Sequence, residues 1–230
     1  MKTTLELCCG TKSFSKVTMK EEEHNYNTIT VDNDSLFDAT HTTDLLKFDY
    51  KTLYPDRNQF DIIWCSPPCT EYSIAKTKGV RLFEKADALV KKCLEIIDYY
   101  KPRLWFIENP FTGYLKSREF MNDIHFYKVD YCRYEQGRGR KKRTAIWTNN
   151  KTFKAKLCQG TGVCPEKIGS KHACTPKGKY WNPEWKSKKE KSIDIAQVPP
   201  RLIKDLITPK TEGGQRPKSE DRRRSKTEDR

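Results

Sequence analysis

Phe60-Asp61-Ile62-Ile63-Trp64-Cys65, followed at once by Ser66-Pro67-Pro68-Cys69-Thr70-Glu71-Tyr72-Ser73, is the stretch on which the reading of this chain turns. The first six residues are β-branched and aromatic and read as a buried strand. Two prolines then end the pairing and stiffen the exit, because proline fixes φ and has no N–H to donate. Cys69 therefore sits on a short, rigid, polar loop just past the C-terminal end of a strand, where open α/β sheets bind their ligands. A free cysteine is more often a buried packing residue. Here the proline-held loop and its polar neighbours favour a working thiol.

Two further strand ends carry the same kind of signal. Arg103-Leu104-Trp105-Phe106-Ile107 reads as a strand that ends in Glu108-Asn109-Pro110. Thr3-Thr4-Leu5-Glu6-Leu7-Cys8-Cys9-Gly10 reads as a strand running into a glycine before a polar, helix-compatible stretch, the form of a cofactor-binding turn in many α/β proteins. The segment from Lys12 to Asn25 is expected to be helical. A strand over Thr28–Val31 ends at Asp32-Asn33-Asp34, and a short one near His41–Thr43 ends at Asp44. Phe83, Ala86, Leu89, Val90, Cys93, Ile96, Ile97 and Tyr100 recur at helical spacing, and Pro102 closes that helix. Late strands are expected near His125–Cys132 and Thr144–Thr148. Strands alternating with helices predict an α/β fold, a mostly parallel sheet with helices on both faces.

Size and charge bound the rest. A chain of 230 residues can bury one sizeable core and a small appendage. No apolar run is long enough to span a bilayer, and Met1-Lys2-Thr3-Thr4 enters a strand directly, so neither a membrane anchor nor a secretion signal is expected. Nine scattered cysteines form no disulfide framework, which points to a reducing compartment, cytoplasmic or nuclear. The net charge of +14 is concentrated: residues 132–192 hold 17 Lys/Arg against 4 Asp/Glu, whereas residues 1–131 hold 18 against 20. Such a local excess reads as a polyanion-binding surface. It begins at Arg138-Gly139-Arg140-Lys141-Lys142-Arg143, where Arg138, Arg140, Lys141 and Lys142 are expected to contact phosphates. The expected organisation is a core over residues 1–149, a small basic loop-rich lobe over 150–195, a helix returning to the core over 196–208 and a disordered charged tail over 209–230. A monomer is expected.

The order of these motifs resembles the cytosine-C5 DNA methyltransferases. Leu5-Glu6-Leu7-Cys8-Cys9-Gly10 is similar to that family's S-adenosylmethionine loop, Pro68-Cys69 to its catalytic loop, Glu108-Asn109 to its Glu-Asn motif and Arg143–Asn149 to its late arginine-bearing strand. The resemblance covers roughly residues 3–149, with an echo at Val198-Pro199-Pro200-Arg201-Leu202. It implies a Rossmann-like S-adenosylmethionine-dependent core, with Cys69 as nucleophile, Glu108 as its carboxyl partner at the base and Arg143 beside it. It implies cofactor contacts from Leu7, Cys8, Gly10, Asp32, Asn33, Asp44 and Pro67, with Asp32 on the ribose, Asn33 beside the adenine and Asp44 near its amino group. The implied function is DNA (cytosine-5-)-methyltransferase activity through a covalent cysteine adduct. RNA as the substrate, or a nucleic-acid-binding protein that has lost catalysis, are the alternatives.

Three departures bear on that reading. Gly10-Thr11-Lys12-Ser13 has one glycine where relatives have more. Ala145 stands where a second arginine is usual, which leaves reduced or lost activity open. Only about 45 residues separate Asn149 from Val198, so the target-recognition region is short and a relaxed sequence preference is expected. Tyr180, Trp181 and Trp185, set among lysines, are candidates for stacking on bases or for packing the lobe. Cys158, Cys164, His172 and Cys174 offer four zinc-type ligands, but their spacing matches no common zinc pattern, and no metal is expected.

Overall fold

The computed structural model describes residues 2–19, 26–135, 141–159, 164, 166–168, 171–172 and 197–208. The strands are β1 (Lys2–Leu7), β2 (Tyr26–Asp32), β3 (His41–Thr42), β4 (Phe60–Cys65), β5 (Leu104–Pro110), β6 (Phe126–Asp130) and β7 (Arg143–Thr148), with a two-residue hairpin, β8 (Lys167–Ile168) and β9 (Lys171–His172). The α-helices are α1 (Ser15–Thr18), α2 (Tyr50–Leu53), α3 (Phe83–Tyr100) and α4 (Pro200–Ile207).

β1 to β7 form one sheet in the order β3-β2-β1-β4-β5-β7-β6. All neighbours from β3 to β5 are parallel, and β7 runs antiparallel between β5 and β6. This is an α/β sheet with helices on both faces. Its pairing sets Leu7 against Val31 and Cys65, and Cys65 against Ile107. Four strands therefore end level, and the loops that follow them share one edge.

Both faces of the sheet are buried, so each strand packs in two directions. Along β4, Ile63 and Cys65 face one cluster with Leu5, Leu7 and Ile107, covered by Val90, Cys93, Ile96 and Ile97 of α3. Ile62 and Trp64 face the other, with Phe106 and Ile146, covered by Phe14, Val17 and Leu202, Ile203, Leu206 and Ile207 of α4. The period-two alternation of a strand does this sorting. α4 starts with Pro200 at its first turn, where a missing N–H costs nothing, and Asn150 Nδ2 donates to the Leu206 carbonyl at 2.8 Å near its other end. Lys156 pairs with Asp205 at 2.6 Å.

Three elements differ from expectation. Helix in the Lys12–Asn25 segment is confined among the described residues to Ser15–Thr18, because Cys8, Gly10 and Lys12 all hold positive φ and wind the chain tightly first. The buried Glu6 carboxylate accepts the N–H groups of Phe14 and Ser15 at 3.1 and 3.0 Å, which ties the first turn down. β5 runs on through Glu108 and Asn109 to Pro110, because β7 offers a partner for each. Ala145 lies opposite Asn109 and is wholly buried, so this position serves packing and has no room for a solvated charge. Most of the basic lobe, including Tyr180, Trp181 and Trp185, and the 209–230 tail lie outside the described residues.

Trp64 is fully buried, stacked on Phe14 at 5.4 Å and tilted against Phe106 at 5.4 Å. Trp64→Ala is expected to cost about 3–5 kcal/mol, read as a lower urea midpoint at unchanged slope. A loss under about 1 kcal/mol would mean that the α1–α4 layer closes over the gap.

Candidate active site

The loop after β4 is held from several sides. Ser66 N–H donates to the Leu7 carbonyl at 3.1 Å, and Asn109 Nδ2 donates to the Pro67 carbonyl at 3.0 Å. Tyr72 is wholly buried and its hydroxyl donates to Asp87 at 2.8 Å, while Arg118 grips both oxygens of Asp87 at 2.6 to 3.1 Å. Arg81 Nη1 donates to the carbonyls of Glu71 and Ser73 at 2.8 Å each. The Tyr72 carbonyl accepts Tyr114 N–H at 2.9 Å, and a Cβ on Gly113 would lie 3.1 Å from both the Tyr72 and Pro110 carbonyl oxygens. Only glycine lets those backbones approach so closely. The prolines stiffen this loop, and Asn109, Arg81 and Asp87 anchor it.

Cys69 is half-buried at the wall of a pocket of about 350 Å³ lined also by Pro67, Pro68, Glu108, Asn109 and Lys142. Glu108 is 7% exposed; its Oε1 accepts the Tyr131 hydroxyl at 2.9 Å and lies 3.7 Å from Lys142 Nζ. Lys142 in turn sits over the Tyr131 ring, 4.8 Å from its centroid. Burial pushes the Cys69 thiol above its ordinary pKa, the Glu108 carboxylate adds to that, and Lys142 opposes it. Asn109 Oδ1 is buried without a hydrogen-bond partner among the described residues. An orphaned acceptor at a pocket wall is where an incoming donor gains most.

The cation beside Cys69 and Glu108 is Lys142. Arg143 instead makes two parallel bonds to Asp130, Nε to Oδ1 at 2.8 Å and Nη2 to Oδ2 at 2.7 Å. Asp130 is fully buried and needs that pairing. Alternation along β7 sends neighbouring side chains to opposite faces, so Lys142 and Arg143 cannot both turn inward. This corrects two expectations: Arg143 is engaged away from the thiol, and Lys142 faces the pocket rather than a nucleic-acid backbone. Lys141 keeps a partly exposed side chain, 4.0 Å from Asp130, and Arg138 and Arg140 lie outside the described residues. Lys142 and Tyr131 were missed in the sequence because neither falls in a motif; only the pairing of β6 and β7 brings them to Glu108.

A second cleft, of about 640 Å³, opens beside the first and shares Cys8, Gly10, Ser66 and Pro68 with it. Asp32, Asn33 and Asp44 line it, with Phe37, Leu45 and Leu89 as apolar wall. Asp32 Oδ2 accepts Gly10 N–H at 2.8 Å and Oδ1 accepts Asp34 N–H at 3.0 Å, so the carboxylate joins the ends of β1 and β2. Asp44 Oδ1 accepts Leu46 N–H at 3.0 Å. Of the seven expected cofactor residues, five line this cleft; Pro67 lines the smaller pocket, and Leu7 is wholly buried behind both. The left-handed backbone that extra glycines would supply is taken up here by Cys8 and Lys12. Burial raises the Glu6 carboxyl to about 7 against its two N–H donors.

Cys158, Cys164 and His172 come together with Cys132 and line neither cleft, and Cys174 lies outside the described residues. Among the described residues no helix is long and apolar enough to cross a membrane.

Comparison with known proteins agrees with this geometry. A Frog virus 3 (isolate Goorha) protein named "Probable DNA (cytosine-5)-methyltransferase" is 34% identical over 174 residues, 70% of this chain and 77% of that protein. Among solved structures, a triple mutant of Spodoptera frugiperda DNMT2 superimposes with a TM-score of 0.46 at 16% identity, over 69% of this chain and 54% of that one. The Entamoeba histolytica methyltransferase EhMeth superimposes with a TM-score of 0.46 at 13% identity, over 69% and 56%. The chain thus spans little more than half the length of those two structures. The sequence model of C-5 cytosine-specific DNA methylases matches residues 5–125, and the chain belongs to that family.

Proposed function

We propose that the chain transfers a methyl group from S-adenosylmethionine to C5 of cytosine in DNA, through a transient bond between Cys69 and the base. The observation that carries this reading is the junction of the two clefts at Cys8, Gly10, Ser66 and Pro68, with Cys69 and Glu108 on the smaller side and the acidic strand ends on the larger. The larger cleft fits a nucleoside-type donor: its volume lies in the range of cofactor pockets, Asp32 sits at the end of β2 where nucleotide-binding sheets hold ribose hydroxyls, and its wall is apolar enough to cover an adenine. When bound, S-adenosylmethionine supplies a methyl group activated by its sulfonium.

The protein's part is to make cytosine nucleophilic at C5. The Cys69 thiolate adds to C6, which breaks the aromaticity and loads electron density onto C5. After C5 has taken the methyl group, a base removes the C5 proton, the Cys69–C6 bond breaks and the thiol leaves. Glu108 hydrogen-bonds the ring at N3 and offsets the charge developing there. Cys69 and Glu108 are coupled: a proton shared between Glu108 and N3 neutralises the carboxylate, which removes one of the two influences holding the thiol protonated. The nucleophile thus sharpens when a base is in place. Lys142, across from Glu108, pulls the same way. The target base must leave its stack to reach the pocket, and the basic excess of residues 132–192 suits the phosphates on either side. The deciding assay offers labelled S-adenosylmethionine with single- and double-stranded DNA and RNA in parallel, and identifies the modified base.

Cys69→Ser is expected to abolish methyl transfer while leaving donor binding intact. The native chain should form a stable adduct with 5-fluorocytosine DNA, because fluorine blocks the last elimination, and the variant should not. Activity retained in the variant would sink the mechanism. Asp32→Ala is expected to weaken S-adenosylmethionine about tenfold or more, as a charge-assisted pair is worth about 1.5–3 kcal/mol. Unchanged affinity by calorimetry would leave Asp32 as a turn residue only. A third outcome concerns pH. Because the Cys69 thiol is raised above its ordinary 9.0, its alkylation rate, followed on the Cys69 peptide by mass spectrometry, should climb only above that pH. Glu108→Gln should move the climb to lower pH and Lys142→Met to higher pH.

A further inference from the structure

Three thiols and an imidazole from three separate stretches of chain meet at one point. Cys132 belongs to the turn that follows β6, Cys158 to the extended segment after β7, and Cys164 and His172 flank the β8–β9 hairpin. Their Sγ and ring-nitrogen atoms all lie within 4.8 Å of one another, with His172 Nε2 3.6 Å from Cys158 Sγ and 3.4 Å from Cys164 Sγ. A tetrahedron with metal–sulfur bonds of about 2.3 Å and a metal–nitrogen bond of about 2.0–2.1 Å has sulfur–nitrogen edges of about 3.5 Å. The measured distances are those edges. A disulfide would bring two sulfurs to about 2.05 Å, and these three thiols are free.

We propose that Cys132, Cys158, Cys164 and His172 bind one zinc ion as a closed structural site. Three thiolates and a neutral imidazole are the donors zinc favours, and four protein ligands leave no position for substrate. The surroundings show why a metal belongs there. A hairpin of two-residue strands cannot stand alone in water, and the lobe needs a fastening that its own side chains do not supply. A zinc ion with three thiolates carries a net charge of −1, and the Arg143 guanidinium interacts with both Cys132 and Cys158. The Cys158 N–H donates to Asp130 Oδ2 at 2.8 Å, and Arg143 holds the same carboxylate, so the ligand loop is pinned to the ends of β6 and β7. Cys132 follows directly on Tyr131, which donates to Glu108. The ion would fasten the lobe to the segment that carries the catalytic carboxyl's partner, and Arg143 would serve this junction. The set differs from the one suggested by proximity in sequence, since Cys132 replaces Cys174. The C-x25-C-x5-C-x7-H spacing was not legible as a motif because its first ligand comes from the end of a core strand.

The test uses the full chain, purified reduced and without chelator, in the absence of nucleic acid and methyl donor, so that it stands apart from the methyltransferase reading. Elemental analysis is expected to find about one zinc per chain. Cobalt exchanged into the site should give the thiolate charge-transfer and strong visible bands of a tetrahedral centre. Bound metal should protect Cys132, Cys158 and Cys164 from alkylation while Cys174 is labelled, a readout that needs no variant. Cys132→Ser should lose the metal and Cys174→Ser should keep it. Reduced chain reconstituted with zinc that holds no stoichiometric metal would overturn the proposal. So would a Cys132→Ser variant with full zinc, protection of Cys174 in place of Cys132, or a disulfide among the three thiols.

Discussion

The constraint from which the rest follows is the register of the parallel strands. Leu7 lies opposite Cys65, and Cys65 opposite Ile107, so β1, β4 and β5 end level. Backbone hydrogen bonding fixes that alignment to within a residue, and a slip of one would turn every buried side chain to the wrong face. Whatever follows these residues in sequence is therefore delivered to one edge: the Cys8–Gly10 turn, the Pro67–Cys69 loop and the Glu108–Asn109 pair. Asn109 then closes the arrangement by holding the Pro67 carbonyl. The thiol and the carboxylate face each other because two strands stop at the same level and one amide ties their ends.

Buried charge is managed in two neighbouring networks. Glu108 is met by a phenol and an ammonium, contacts that can be exchanged for a ligand without leaving a full charge stranded. Asp130, fully buried, is met by a bidentate guanidinium and a backbone N–H, a set with little to spare. The first arrangement suits a group that must change partners during a reaction, and the second suits a joint. Lys142 and Arg143 are consecutive, and the alternation of a strand assigns one to each network.

The cysteines divide in the same physical terms. Cys65 and Cys93 pack in the core between sheet and α3 as small apolar residues. Cys69 stands at a pocket wall with a carboxylate and an ammonium for neighbours. Cys132, Cys158 and Cys164 gather around an imidazole. Surroundings rather than residue type separate these roles, which is why a count of nine cysteines says so little by itself.

Local patterns alone carried much of the architecture. The Phe60–Cys65 strand and the Phe83–Tyr100 helix have the bounds their periodicity implies, since an apolar period of two or 3.6 needs only a core to face. The prolines before Cys69, the carboxylates at strand ends and the order of the motifs were likewise visible in one dimension. Other features required three. The residues that meet Glu108 are Tyr131 and Lys142, brought by the antiparallel pairing of β6 and β7, and no short-range pattern marks them. Arg143 carries a charge that could serve either network, and only the position of buried Asp130 sends it to the joint. Cys132 joins Cys158, Cys164 and His172 because the sheet returns the chain to that point. Periodicity reports which way a side chain faces; which distant partner it finds depends on long-range closure, and that is a property of the folded chain alone.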